Sequence, residues 1–222
     1  MIGVGLMVKW PQAQATKSRL ILGTNPAVAV KLYRAFVEDE LEMLQGSGLP
    51  HEIWFWPGEK HAVFAQWLGP CSYFPQIGSD LGDRLGHGFR SAFLRGYQGM
   101  MALASDCPDF PVVLLHQAAE GLRTHDAVIV PAQDGGYNLI GFDQNGFVPE
   151  AFAKIPWSTA EVMERTRASI LEKGKTLLVL DPWPDIDTVS DLQALWRRSK
   201  GKRSSIRLLT AAQLETLSIW QT

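Results

Sequence analysis

Two cysteines, Cys71 and Cys107, in 222 residues are too few for a disulfide framework or a zinc-knuckle spacing. Charge of one sign is also missing. The chain has 21 Lys and Arg against 23 Asp and Glu, a formal charge of -2, which excludes the whole-chain basic field of a dedicated nucleic-acid binder. Its one basic cluster, Arg197, Arg198, Lys200, Lys202, Arg203 and Arg207, reads as a solvated stretch between two helices. No apolar run approaches the ~18 residues that a membrane span needs. The opening MIGVGLMVK has no positive leading region and Lys9 cuts it short, so it reads as a buried first strand rather than as a signal peptide cleaved near Ala13-Gln14-Ala15. His51, His61, His87, His116 and His125 show no H-x-H or H-x-x-x-H pairing. Also absent are a Walker A loop, a G-x-G-x-x-G after a strand and a G-x-S-x-G elbow, which leaves P-loop, dinucleotide and ordinary α/β-hydrolase sites unsupported. What is present is 46% apolar and 20% charged, an ordinary globular composition at a length suited to one large α/β domain. A cytosolic enzyme is the default expectation.

Short β-rich apolar runs occupy 2–8, 52–56, 100–104, 127–130, 137–142 and 176–180, with stretches of helical spacing between most of them. Such alternation predicts a mostly parallel mixed sheet with helices on both faces. Continuous apolarity within 128–130 and 177–180 predicts central strands buried on both sides. Several helix ends are marked. Asn25-Pro26 starts one, with Gly46 and Gly48 as stops. Asp80 caps another running through Arg84 and Phe89. Ser158 with Glu161 forms a capping box before a helix over 162–173 that Gly174 ends, and Thr188 with Asp191 repeats the pattern before 192–198. A last amphipathic helix is expected over 211–217, in a C-terminal extension of 201–222 to a single domain; its apolar face permits a homodimer contact.

In open α/β sheets ligands bind at the carboxyl ends of the strands, so the residues that follow each strand matter most. Lys9, Lys17 and Arg19 follow the first strand. Asp106 and Asp109 follow the run at 100–104, Asp134 follows 127–130, and Asp181, Asp185 and Asp187 follow 176–180. Cations after one strand and carboxylates after three others suit a polyphosphate held partly by Lys and Arg and partly by Mg²⁺ or Mn²⁺. Plainer readings stand beside this one. Lys17 and Arg19 can be solvated, Asp106 can cap the helix over 112–121, Asp134-Gly135-Gly136 can be an ordinary turn, and Asp187-Thr188 can serve only as a helix start.

The segments KWPQAQATKSRL (9–20), QIGSDLGDR (76–84), ASDCP (104–108), PAQDGGYNLIG (131–141), WST (157–159) and DIDT (185–188) follow one another in a known order. On them the chain resembles the DUF2064 family, whose members are similar to GT-A-fold nucleotide-diphospho-sugar transferases and, in turn, to the guanylyltransferases of molybdenum-cofactor and deazaflavin-coenzyme synthesis. Two family glycines are replaced, by Gln14 in the first loop and by Ala104 before Ser105. The resemblance implies a GT-A-like α/β fold and a divalent metal, Mg²⁺ or Mn²⁺, on Asp106 and Asp187. It further implies phosphate or nucleotide contacts from Lys9, Lys17, Arg19, Gln76 and Arg84, and an acceptor or sugar pocket lined by Gly135, Gly136 and Tyr137. Asp134 would be the catalytic base or acceptor-orienting group. Trp157 would either stack on a ligand or pack in the core.

The leading expectation from that resemblance is transfer of a sugar from a nucleoside-diphosphate sugar to an unidentified acceptor, where charge building on the leaving diphosphate is the difficulty to be met. Two alternatives stand beside it: nucleotidylyl transfer from an NTP to a phosphorylated acceptor with loss of pyrophosphate, and a catalytically degenerate nucleotide-binding module, suggested by Gln14 and Ala104. Neither nucleic acid nor a membrane is an expected partner.

Overall fold

The computed structural model describes residues 1–12 and 25–199. The expectations placed on Gln14, Lys17, Arg19, the basic residues from Lys200 onward and the helix over 211–217 fall outside those residues. In chain order the described elements are β1 (Ile2–Lys9), α1 (Pro26–Ser47), β2 (His51–Trp56), α2 (His61–Leu68), β3 (Tyr73–Pro75), α3 (Leu81–Leu94), β4 (Gly99–Ala104), α4 (Val112–Gly121), β5 (Ala127–Pro131), β6 (Tyr137–Asp143), α5 (Val162–Glu172), β7 (Leu177–Val179) and α6 (Val189–Ser199). The strands form one sheet in the order β3-β2-β1-β4-β6-β5-β7. β6 runs antiparallel to both of its neighbours, and every other pairing is parallel. The carboxyl ends of β1 to β5 and β7 therefore share one edge, and the turn that opens β6 joins them there.

Strand β1 shows how the sequence builds the two faces. Val4, Leu6 and Val8 point into a core shared with α1, α2 and α4. On the opposite face the strand carries Gly3 and Gly5, and a Cβ at those positions would lie 2.3 Å from the Tyr97 ring and 2.4 Å from the Trp54 ring. Gly88 of α3 meets the same Trp54 ring, 2.5 Å from a Cβ placed there. Three glycines thus clear the space in which one indole is buried, and burial of a ring that size is worth up to about 5 kcal/mol. Around it, Leu85 and Phe89 of α3, Phe142, Phe152 and Ile170 complete the second face.

Helix ends follow local chemistry. The Asn25 side chain accepts the Val28 N–H at 3.0 Å with Pro26 at the first turn, and Gly48 closes the helix in the left-handed region at φ 75°. Asp80 caps α3 by accepting the Asp83 N–H at 2.8 Å. Thr188 and Asp191 form the expected reciprocal pair, with Asp191 Oδ2 accepting the Thr188 N–H at 2.7 Å and Thr188 Oγ1 accepting the Asp191 N–H at 3.3 Å.

Three expectations are corrected, and one strand is added. β7 is an edge strand of the described sheet rather than a central one: among the described residues it pairs with β5 alone, and Val179 is 41% exposed. A three-residue apolar strand looks the same in either place. β3 carried no sequence signal, being three residues long and ending on Pro75. Ser158 and Glu161 make no capping box: Ser158 adopts φ 65° and the first position of α5 has no side-chain cap. The N-terminus of α5 instead docks on a turn, the Met163 N–H donating to Gly135 O at 2.9 Å. Arg198, finally, is not part of a solvated stretch, because Asp109 holds it in a two-pronged ion pair.

Candidate active site at the carboxyl edge of the sheet

The edge is built from two turns and a strap. After β4, Ser105 is locked to β1 by a relay of hydrogen bonds: the Lys9 N–H donates to Tyr33 Oη at 3.0 Å, the Tyr33 and Ser105 hydroxyls bond at 2.9 Å, and Ser105 Oγ donates to Met7 O at 2.7 Å. Just beyond Asp106, the buried Glu40 of α1 accepts the Cys107 N–H at 2.6 Å. This turn does not cap α4, whose first turn is preceded by Pro111 with no side-chain cap.

Between β5 and β6, Asp134 folds a tight turn. Its Oδ1 accepts the Gly136 N–H at 2.9 Å, and the Ala132 N–H donates to Gly136 O at 3.0 Å. Gly135 sits at φ 90°, and a Cβ there would lie 2.4 Å from the Ala160 carbonyl oxygen. Glycine is required at this point both by backbone conformation and by space.

The strap is the segment after β7. It crosses back over the strand ends, where the Trp183 N–H donates to Pro131 O at 3.0 Å, Asn138 Nδ2 to Trp183 O at 2.6 Å, and the Ile186 N–H to Asp106 O at 3.0 Å. Trp183 Nε1 donates to Asp109 Oδ1 at 3.3 Å, and the same carboxylate receives Arg198 Nε at 2.6 Å and Nη2 at 3.0 Å. Asp109, though it follows β4 with Asp106, thus serves to clasp the strap to α6. Within the strap Ile186 is fully buried among Ala29, Leu32, Phe36, Leu192 and Leu195. In extended chain, residues two apart share a face, so burying Ile186 turns Asp185 and Asp187 together to the other side.

The result is an acidic cluster. One carboxylate oxygen each from Asp134, Asp185 and Asp187 lies within 4.8 Å of the others. Asp134 is exposed and the other two are half-buried. Two oxygens bound to one Mg²⁺ or Mn²⁺ at about 2.1 Å stand at most about 4.2 Å apart, so the three side chains match such an ion with little movement. Hard oxygen donors are the right chemistry for it. Of the residues singled out from sequence, the structure joins Asp134 to Asp187 and sets the backbone of Asp106 against the strap between them. Asp185 was not chosen, although its signal was legible in the D-I-D spacing.

A second group gathers at the ends of β1 and β2. Lys9 and Trp56 are register partners on the parallel ladder. Lys9 Nζ lies 5.5 Å from the Trp56 ring centroid and the Arg84 guanidinium carbon lies 4.5 Å from it. Arg84 Nε also donates to Gly78 O at 3.2 Å. Gln76 fastens the same loop to β2, with its Nε2 donating to Trp54 O at 2.6 Å and its N–H to Phe55 O at 2.8 Å. Tyr137 and Trp157 turn into the packed layer beside α3 and α5. The Trp157 ring comes within 3.2 Å of the place a Cβ on Gly82 would take, which is where the core-packing alternative puts it. Burial pushes the Tyr137 phenol far above its ordinary range.

Comparison with known proteins bears on this geometry. The profile of the DUF2064 family, "Uncharacterized protein conserved in bacteria", matches residues 40–159. The chain belongs to the DUF2064 family. A candidate nucleotide-diphospho-sugar transferase from Desulfovibrio desulfuricans G20 is 34% identical, with 96% of each chain covered and a TM-score of 0.90. A nucleotidyl transferase from a Methanothermobacter species is 15% identical over 89% of this chain and 97% of that one, TM-score 0.59. The 4-diphosphocytidyl-2C-methyl-D-erythritol synthase of Anaerococcus prevotii DSM 20548 is 10% identical over 90% of this chain and 98% of that one, TM-score 0.58. No curated protein matches the chain. This DUF2064 protein has a GT-A-like fold, and none of its described helices is long and apolar enough to cross a membrane.

Proposed function

We propose that this DUF2064 protein is a divalent-cation-dependent transferase that moves a sugar from a nucleoside-diphosphate sugar to an acceptor. One observation carries the reading: three carboxylates from two separate segments converge at the carboxyl edge of a GT-A-like sheet. Likeness to the Desulfovibrio protein favours sugar transfer over the alternatives.

Asp134, Asp185 and Asp187 would hold Mg²⁺ or Mn²⁺, with Asp106 beside them. Such an ion supplies charge neutralisation to a departing diphosphate. On this reading Asp134 serves the ion rather than acting as a free base. Lys9 and Arg84 would face the phosphates, joined by Lys17 and Arg19 of the first motif. Gln76 would set the loop that presents Arg84. Gly135 and Gly136 would let the sugar or acceptor approach backbone closely, with Tyr137 and Trp157 forming the packed wall behind them.

The test is thermal-shift screening of NDP-sugars and NTPs with Mn²⁺ or with chelator, followed by product analysis. A ligand bound to the folded state raises the melting temperature by mass action. The expected result is a Mn²⁺-dependent shift with NDP-sugars and release of NDP. Asp187→Ala should remove the shift and lower NDP release about a thousandfold, corresponding to about 4 kcal/mol of lost transition-state stabilisation. Pyrophosphate released from an NTP would move the assignment to nucleotidylyl transfer. Nucleotide binding without turnover of any donor would make the protein a binding module.

A further inference from the structure

We infer that Trp56, which no motif singles out, is a positioning residue whose indole gathers Lys9 and Arg84 into one two-cation clamp for a diphosphate. The inference rests on the sugar-transfer reading, which requires a diphosphate at this edge.

The two cations come from different elements, β1 and the first turn of α3, and meet only at the Trp56 ring. Lys9 arrives there because it is the register partner of Trp56 on the parallel ladder and shares its face of the sheet. Arg84 arrives because Asp80 caps α3 and because its Nε is tied to Gly78 O, which orients the guanidinium over the ring. Among the described residues no carboxylate forms an ion pair with Lys9 or Arg84; the partners they have are the indole and, for Arg84, that one carbonyl. Two like charges within about 6 Å of one centroid repel each other, and the negative face of an indole attracts both. The arrangement favours an anion that can satisfy the two together. Its position fits as well: β1 lies between β2 and β4, so the clamp and the turn that carries Asp106 follow neighbouring strands at one edge of the sheet. Both groups open on the same edge, where the sugar-transfer reading needs the diphosphate.

Inorganic pyrophosphate with excess Mg²⁺, titrated calorimetrically, is the probe, because it carries the diphosphate without a base or sugar. Trp56→Leu, which keeps an apolar contact but no ring, should weaken binding about tenfold, and Trp56→Phe, which keeps a ring face, should stay within about threefold of the wild type. Arg84→Met should also cost about tenfold. The Trp56→Leu/Arg84→Met double variant should fall no more than about threefold below either single one, because the indole acts through the cation it holds. A merely structural role for Trp56 would produce independent, multiplying losses. Trp56 is only half-buried, and circular dichroism and melting of each variant report whether the fold is kept. Lys9→Met, at an exposed position, gives the same test without touching packing and should also cost about tenfold. If the wild type binds pyrophosphate and Trp56→Leu binds it equally well, or the double variant shows fully multiplied losses, the role of Trp56 is overturned while sugar transfer stands. If the wild type binds no pyrophosphate, both fall.

Discussion

The two halves of the ligand-facing edge are held in place by different kinds of force. On the acidic side, at the ends of β4 to β6, every turn is fixed by backbone hydrogen bonds and by buried partners such as Glu40, Asn138 and Asp109. On the cationic side, at the ends of β1 and β2, Lys9 and Arg84 rest on the face of Trp56, where each contact is worth about 0.5–1 kcal/mol. On the proposed function the difference suits what each side would do. Carboxylates that share a small, geometrically demanding ion must be preorganised, because like charges do not assemble unaided. Side chains that follow a flexible diphosphate gain from being held loosely near one another.

Substitutions can break this contrast or sharpen it. The largest structural effect is expected for Asp109→Ala. It removes the 1%-exposed carboxylate that pairs with Arg198 and accepts from Trp183. Breaking a buried pair from one side costs about 3–5 kcal/mol, roughly 10 °C in melting temperature at this chain length. Because the strap loses its clasp, Mn²⁺ binding by titration should weaken in step. Unchanged Mn²⁺ affinity would mean that the acidic side does not owe its shape to the strap.

Gly135→Ala comes next, at about 2–3 kcal/mol, from a positive φ and a Cβ driven against Ala160. Its neighbour is the control. A Cβ at Gly136 meets only the Asp134 carboxylate, at 3.1 Å, so Gly136→Ala should cost about 1 kcal/mol or less. Chemical denaturation of the pair distinguishes a required glycine from an incidental one, and equal losses would refute the turn geometry.

The smallest effect belongs to the cationic side. Asp83 is exposed, and the hydroxyl and N–H of Ser79 hold its carboxyl below the usual range. A depressed carboxylate stabilises the fold above its unfolded pKa and loses that contribution as pH falls through its folded pKa. Asp83→Asn should therefore be slightly less stable than the wild type at neutral pH, and the two melting curves should converge in acid. A difference that persists in acid would show that the Gly78–Asp80 loop depends on Asp83 for more than its charge.

Much of this was legible beforehand wherever local chemistry decides the outcome. Asn25-Pro26, Asp80 and Thr188 with Asp191 mark helix starts that tertiary contacts did not alter. The Asp134-Gly135-Gly136 turn and the alternation of strands and helices are equally local. The rest depends on contacts between distant residues. Ser158 fails as a cap because Gly135 takes over the N-terminus of α5. Leu177–Val179 looks central but lies at an edge, since apolarity does not reveal the number of neighbours. Asp109 and Asp106 sit three residues apart and resemble each other in sequence, yet Arg198, 89 residues away, claims only one of them. Asp185, noted at this edge but not assigned to the metal, could have been paired with Asp187, because a D-I-D with a buried centre leaves both carboxylates on one side.

The clasp between Asp109 and Arg198 also bears on the order in which the molecule matures during synthesis. The acidic cluster takes its members from residues 134 to 187, and its strap is secured only once Arg198 of α6 has left the ribosome and paired with Asp109. A nascent chain holding the seven described strands could already pair them, yet it would lack the clasp that fixes the segment carrying Asp185 and Asp187. On the proposed function, the capacity to capture a cation would mature after the sheet that carries it.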